Sequence, residues 1–147
     1  MRTTFKVTRD SEKFIESLQR SGKRFRAFSN KIVETIAGRC AEDVVKVVKF
    51  QSFPNVRLSE AWRQRKEREG YDVRTLIRTR AYVESIKAKK VEEGVWGVVC
   101  SDMDLMKRLE VGTRVSPPRP HWGPTMRHYR ENFNELFAKE AVRRIFR

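Results

Sequence analysis

The side chains that could do chemistry in this 147-residue chain are few and widely spaced. The sequence has two cysteines and two histidines, namely Cys40, Cys100, His121 and His128. Nucleophilic catalysis needs a nucleophile, a base and a group that orients them, and a structural zinc site needs four Cys or His ligands. Both cysteines lie in apolar periodic segments, where a thiol usually behaves as a small hydrophobic group. A Gly-Pro pair separates the two histidines, so we do not expect them to share a helical face.

The acidic residues are scattered, and nearly every one has a Lys or Arg within four positions. This pattern is typical of surface ion pairs and not of a carboxylate cluster that binds magnesium. The sequence also has no phosphate-binding Gly-rich loop, dinucleotide fingerprint or His-Glu-x-x-His motif. We therefore predict a protein that is not an enzyme, with no catalytic residues, no cofactor and no metal.

Charge is the extreme quantity in the composition, with 33 Lys and Arg against 19 Asp and Glu and a net charge of +14. The excess is spread along the chain, with 12 basic and 6 acidic groups in residues 1–50, 11 and 7 in 51–100, and 10 and 6 in 101–147. The densest patch contains the candidates for contact with DNA, Arg63, Arg65, Lys66 and Arg68.

Such a field attracts polyanions, which indicates a small basic nucleic-acid-binding protein. The other interpretation is a solvated surface that pairs with acidic neighbours or with an acidic protein. No zinc-finger spacing, aromatic RNA-binding signature or Gly-x-x-Gly clamp accompanies the charge, which argues against a dedicated nucleic-acid reader.

The N-terminal third of the sequence predicts a short strand and a long helical region. Residues 3–8 alternate between apolar and polar side chains, as in a strand. Asp10 or Ser11 is placed to cap a helix, and apolar residues then recur at three- and four-residue steps as far as Val48. The pattern fits one long helix or two helices broken near Gly22. Pro54 ends the helical region.

The rest of the chain predicts short elements. The charged segment 54–72 contains a short helix that starts near Leu58 and ends at Gly70, and it is a candidate for a mobile excursion from the fold. Residues 85–91 and 95–100 form a hairpin. Asp102 or Asp104 caps a helix that ends at Gly112, residues 116–124 form a rigid extended loop, and residues 125–147 form one amphipathic helix. We predict a single α+β domain over 1–147, with no run of apolar residues that could span a membrane.

Four short motifs occur in order along the second half. They are Leu58-Ser59-Glu60-Ala61-Trp62 with the basic residues after it, the frame from Leu76 to Ile86, Leu109-Glu110-Val111-Gly112-Thr113, and Pro118-Arg119-Pro120-His121-Trp122-Gly123-Pro124. Together they resemble the tail-completion or neck family of long-tailed phages, and the first resembles the related Mu-type virion-morphogenesis proteins. The sequence departs from the family where Arg80 replaces the usual Gly and where His121-Trp122 replaces a Phe-Leu pair.

The resemblance implies a structural virion protein at the head–tail junction, assembled in the host cytoplasm as a homo-oligomeric ring, six-fold or a multiple of six. Its partners would be the head–tail connector and the tail terminator or tube proteins, with genome DNA passing non-specifically through the lumen and no membrane contact. The candidate interface residues are Leu109, Glu110, Gly112, Thr113, Pro118, Arg119, Pro120 and Trp122.

Arg119 and Trp122 are the first candidates for binding energy, because Arg and Trp are often central in interfaces and a Pro-rich loop is pre-organised. Trp122 has two possible roles of equal weight. It contacts a neighbouring subunit, or it is an intramolecular latch packed on the chain's own hairpin.

Overall fold

A computed structural model describes residues 9–55, 57–76 and 80–146 of the chain. It confirms the predicted α+β class. The elements in order are α1 (Arg9–Lys49), α2 (Glu60–Arg68), α3 (Ala81–Ser85), β1 (Lys87–Glu92), β2 (Val95–Val99), α4 (Met103–Val111), α5 (Gly123–Glu131) and α6 (Phe133–Ile145). The strand predicted over residues 3–8 lies outside the described residues.

Helix α1 is one continuous helix of 41 residues, which decides between the two alternatives left by the sequence. Ile32, Ile36, Cys40, Val44 and Val48 form its buried stripe, at the four-residue spacing that places side chains on one face. The helix begins at Arg9, one residue before the predicted cap at Asp10 or Ser11, so both of these residues lie inside its first turn. Residues 16–27 of α1 are exposed throughout.

The predicted hairpin is present as an antiparallel two-stranded sheet, with Lys87 opposite Val99 and a bulge between Lys90 and Glu92. Gly94 forms the turn with φ 79°. The prediction placed Ser85 in the first strand, and this is wrong, because Ser85 ends α3. Its hydroxyl donates to the Tyr82 carbonyl at 2.6 Å and accepts from the Ser101 N–H at 3.0 Å.

The main core lies between the C-terminal half of α1 and the hairpin. It contains Ala41 and Val44 from α1, Ile86 and Cys100 at the ends of the hairpin, and Trp122 from the Pro-rich loop. A second buried pair, Val48 and Val83, packs α3 against the end of α1. The burial of Cys40 and Cys100 agrees with their predicted role as small hydrophobic groups.

The single C-terminal helix predicted over residues 125–147 is wrong, because the structure divides this segment into α5 and α6 at Asn132. Asn132 departs from helical geometry with φ −102° and ψ 12°, although both its backbone N–H and its side-chain amide donate to the His128 carbonyl, at 3.1 and 2.9 Å. Helix α6 packs antiparallel to α1. Arg39 donates to Glu140 at 2.7 Å, and one turn further along Arg144 donates to Thr35 at 2.7 Å.

Helices α2 and α4 begin and end close to the positions that the sequence predicts. Ser59 accepts from the Trp62 N–H at the start of α2, and Gly70 follows its end with φ 71°. Asp102 accepts from the Leu105 N–H at 2.7 Å at the start of α4. None of the helices in the described part of the chain is both long and apolar enough to cross a membrane.

Candidate partner interface

The Pro-rich loop is held in place by the carboxylate of Glu110, near the end of α4. Its Oε2 atom accepts from the backbone N–H groups of His121 at 3.0 Å and Trp122 at 3.1 Å, and its Oε1 atom accepts from the Gly123 N–H at 2.6 Å. These N–H groups lie just before and at the start of α5, where the helix supplies no intrahelical acceptors for them. A negative charge at a helix N-terminus is favourable, so Glu110 fixes both the loop and the start of α5.

Two glycines make this arrangement possible. Gly112 ends α4 with φ 77°, and a Cβ atom there would lie 2.7 Å from the Pro118 nitrogen. A Cβ atom on Gly123 would lie 2.6 Å from the Glu110 Oε1 atom. Two of the four motifs that carry the family resemblance therefore form one structural unit, in which the Glu-x-Gly-Thr turn caps the helix that follows the Pro-Arg-Pro loop.

His121 lies fully buried beneath the loop. Its Nδ1 atom is 2.8 Å from the Arg119 carbonyl, which only accepts, so Nδ1 carries the proton in the neutral ring. The Nε2 atom then accepts from the Tyr82 hydroxyl at 2.6 Å. Burial lowers the pKa of His121 below its ordinary value of 6.5 and raises the pKa of Tyr82, so both groups are neutral near pH 7.

Of the two roles considered for Trp122, the fold shows the intramolecular latch, in which the side chain packs against its own chain. Only 5% of its surface is exposed, and its ring packs in the main core against Ala41, Val44 and Ile86. It is not available to a neighbouring subunit in this conformation. The candidate Trp122 contact with a partner is therefore corrected to a core contact.

The other candidate interface residues divide into a structural set and an accessible set. Glu110 and Gly112 shape the loop. Thr113 and Pro118 are exposed, and Leu109, Arg119 and Pro120 are half-buried at the surface.

Arg119 is fixed by polar contacts and not by an ion pair. Its Nε atom donates to the Asn55 carbonyl at 3.0 Å and its Nη1 atom to the Ser116 hydroxyl at 2.8 Å. The Asn55 side chain in turn donates to the Pro118 carbonyl at 2.9 Å. Burial lowers the pKa of Arg119 from its ordinary value, and no carboxylate of the described residues lies within ion-pair distance.

The predicted DNA-proximal patch on α2 is only partly available. Arg63 pairs with Glu60 at 3.1 Å, and Arg65 pairs with Glu69 at 2.7 Å. Lys66 is 7% exposed, so its assignment as a DNA contact is wrong. Arg68 is exposed.

The Lys66 ammonium instead attaches α2 to the chain that follows it. It donates to the backbone carbonyls of Asp72 at 2.8 Å and Arg74 at 2.7 Å. No local pattern indicates this role, because it depends on how the chain returns after Gly70.

A surface groove of about 820 Å³ lies between α2, the described residues Thr75, Leu76, Arg80 and Tyr82, α4 and the Pro-rich loop, and we call it the α2–α4 groove. Its lining is Arg57, Leu58, Ser59, Trp62, Lys66, Thr75, Leu76, Arg80, Tyr82, Leu105, Leu109, Val115, Ser116, Pro117 and Arg119. Sequence reasoning chose Arg119 and Leu109 but missed Arg57, Trp62 and Arg80. One signal was available, since Arg80 stands where the resemblance expects Gly.

Arg80 does adopt the conformation that a glycine would favour, with φ 61° at the start of α3. Leu76, on the same side of the groove, has φ 63°. A left-handed conformation is costly for residues with a Cβ atom. Both residues therefore line the groove in backbone conformations that carry strain.

The described residues contain no group of three His, Cys, Asp or Glu side chains that could hold a metal ion. Burial raises the pKa of the Cys40 thiol to about 11, with a further contribution from Asp43, so this thiol is protonated near neutral pH. Comparison of the chain with protein-family models, with curated proteins and with solved structures finds no match in any of the three. The assignment of function therefore rests on the chain's own features.

Proposed function

We propose that this chain is a structural, non-catalytic subunit of a tailed-phage virion, a neck or tail-completion protein that closes into a homo-oligomeric ring at the head–tail junction. Two kinds of observation support the proposal. One is the amount of accessible surface, and the other is the structural unity of the motifs that carry the resemblance.

The accessible surface is the observation that carries self-assembly. A compact monomer of 17.4 kDa exposes about 7,900 Å², whereas this chain exposes 11522 Å². If the 13 residues outside the described part are counted as extended chain of about 2,300 Å², and the other 134 residues are compared with a compact protein of their own size at about 7,300 Å², an excess of about 1,900 Å² remains. An excess of this size is comparable to the area that stable protein–protein interfaces bury.

The N-terminal half of α1 contributes clearly to this excess of accessible surface. Leu18 and Phe25 are 56% and 68% exposed, and they continue the line of the buried Ile32 at seven-residue intervals. Exposed apolar side chains of this size remain in contact with water unless another chain covers them. A second copy of the chain that covers this face would extend the core stripe along the whole of α1.

The phage assignment depends on the motifs. Glu110, Gly112 and Gly123 are needed together, because the carboxylate caps a helix that only a glycine can approach so closely. This mutual dependence supports treating the turn and the loop as one family signature. The ring would contact the head–tail connector on one side and tail terminator or tube proteins on the other, within the virion.

Molar mass in solution tests the assembly. We expect the wild-type chain to form a closed ring, six-fold or a multiple of six, by light scattering and native mass spectrometry. The double variant Leu18→Ser/Phe25→Ser should lose the ring, while Gln19→Ser, on the same exposed stretch of α1, should keep it. A chain that stays monomeric at high concentration and with tail proteins added would contradict the proposal.

The virion role has its own test. Particles made without this protein should accumulate as full heads and finished tails that fail to join, as seen by electron microscopy, and added wild-type protein should restore joining. Normal joining without the protein would refute the assignment.

Non-specific nucleic-acid binding is the alternative, favoured by the net charge of +14. It predicts an affinity for duplex DNA that falls steeply with salt, because cations are released from each contacted phosphate. An affinity that does not change between low and high salt would exclude it.

A further inference from the structure

We propose that the α2–α4 groove binds an acidic segment of a neighbouring protein, whose carboxylates meet the arginines at the rim and whose apolar side chains occupy the floor. The inference rests on the proposed function in taking this occupant from an adjacent virion protein. It names the chemistry of the contact, which the ring proposal leaves open.

The charge of the groove is unbalanced within the chain. Arg57, Arg80 and Arg119 line it, and none of its described lining residues is an Asp or Glu. No ion pair joins these three arginines to a described carboxylate, although arginines just outside the groove, Arg63 and Arg74, are paired with Glu60 and Asp72. A groove that the chain leaves positive complements an acidic partner and disfavours a second copy of this basic chain.

The floor of the groove is apolar. Trp62 is 51% exposed and Val115 is 93% exposed, and half-buried Leu58, Leu105 and Leu109 extend the same surface. A phosphate backbone gains nothing from leucine and valine, whereas apolar side chains of a protein segment would remove them from water. The combination therefore favours an amphipathic protein segment over a nucleic acid.

One of the rim arginines, Arg119, is placed before any partner arrives. Arg119 is held by the Asn55 carbonyl and the Ser116 hydroxyl, with its remaining N–H groups available. Arg80 and Leu76 are kept in left-handed conformations that glycine would adopt freely. Backbone strain of this kind occurs preferentially at ligand and partner sites, and a pre-placed guanidinium loses little entropy when it binds a carboxylate.

Trp62 and the arginines are also the residue types that most often dominate binding energy. The Trp62 ring has the Arg65 guanidinium 5.3 Å from its centroid, and Arg65 is itself paired with Glu69. This stacking orients Trp62, and the indole remains accessible to an incoming apolar side chain.

Fluorescence anisotropy with the full chain tests the inference. The probe is a labelled 16-residue helical peptide with Leu on one face and Glu on the others, compared with a Leu/Lys peptide, a scrambled Leu/Glu peptide and a 16-nucleotide oligothymidine. We expect the Leu/Glu peptide to bind most tightly. The variants Arg57→Ala/Arg80→Ala and Trp62→Ala should each weaken it about tenfold or more.

The matched control is Arg63→Ala/Arg108→Ala, which removes two charges from α2 and α4 outside the groove lining and should change the affinity less than threefold. Circular dichroism verifies that each variant is folded. Equal weakening by the control and the groove variant would overturn the inference, as would failure of the Leu/Glu peptide to bind. Displacement of the peptide by oligothymidine that binds more tightly, with the same variant sensitivity, would make the groove a nucleic-acid site and also overturn it.

These outcomes are distinguishable from failure of the proposed function. A ring that forms and joins heads to tails without peptide binding leaves the function intact and removes the groove inference. A monomer that binds the peptide with the expected variant pattern does the reverse.

Discussion

Removing the Glu110 carboxylate should destabilise the fold by a predictable amount. In Glu110→Ala, the N–H groups of His121, Trp122 and Gly123 lose their acceptor, and two of these residues are buried. A buried donor left without a partner costs about 1–3 kcal/mol, and water can reach part of this site, since the Glu110 side chain is 20% exposed. We therefore work with the lower figure, about 1 kcal/mol per N–H group, and expect a loss of about 3 kcal/mol.

For a chain of this length, such a loss lowers the midpoint of thermal unfolding by about 6–12 °C. Glu110→Gln keeps one oxygen acceptor and loses the charge, so it should fall between wild type and Glu110→Ala. Urea unfolding followed by circular dichroism, at one protein concentration, gives the free energies.

Glu93→Ala is the matched control, because Glu93 is exposed in the hairpin turn, and it should change the stability by less than about 0.5 kcal/mol. If Glu110→Ala costs no more than this control, the carboxylate does not cap α5 and the account of the loop is wrong.

Three further predictions concern the same region. Gly123→Ala should destabilise the wild-type chain by about 1–3 kcal/mol but cost much less beside Glu110→Ala, because the clash is with the carboxylate, and a double-mutant cycle measures the difference. Stability to urea should fall as the pH drops below 6.5, because the His121 side chain then takes up a proton in the unfolded chain but not when it is buried in the fold. The variant His121→Gln should weaken this pH dependence, and His128→Gln should retain it. Arg80→Gly should raise the free energy of unfolding by up to about 1 kcal/mol, as relief of the left-handed strain exceeds the added entropy of the unfolded chain, and a loss of stability would contradict the strain.

Local patterns predicted α1, α2, α4 and the hairpin because each is specified within its own segment, and they did not indicate α3. The apolar stripe of α1 is long enough for the helix to continue through Gly22 and Gly38, although each glycine lowers helix stability by about 1 kcal/mol relative to Ala. No other atom lies close to either position, so nothing sterically interrupts the helix there. The start of a helix near Leu58, the cap at Asp102 and the stops at Gly70 and Gly112 were readable for the same reason. The break at Asn132 was missed, because the apolar periodicity continues across it and only one residue departs from helical geometry.

The site depended on contacts that no local pattern contains. Whether Trp122 points outwards or inwards is decided by Glu110, twelve residues earlier in the chain. The α2–α4 groove is assembled from four separate segments, so Arg57, Arg80 and Arg119 come together only in the fold. The sequence predicted residue types that are candidates for partner binding, but not the surface on which they lie together.

The exposed N-terminal half of α1 has a consequence for the kinetics of hydrogen exchange and assembly. The helix is about 62 Å long, and residues 16–27 have no cover from the rest of the described chain. In a free subunit their amide hydrogens should exchange with solvent orders of magnitude faster than those of residues 32–48, because local opening there breaks no tertiary contact. Protection of these amides would then arise only on assembly. The time at which they become protected would report when subunits join, and the rate of that step would depend on protein concentration.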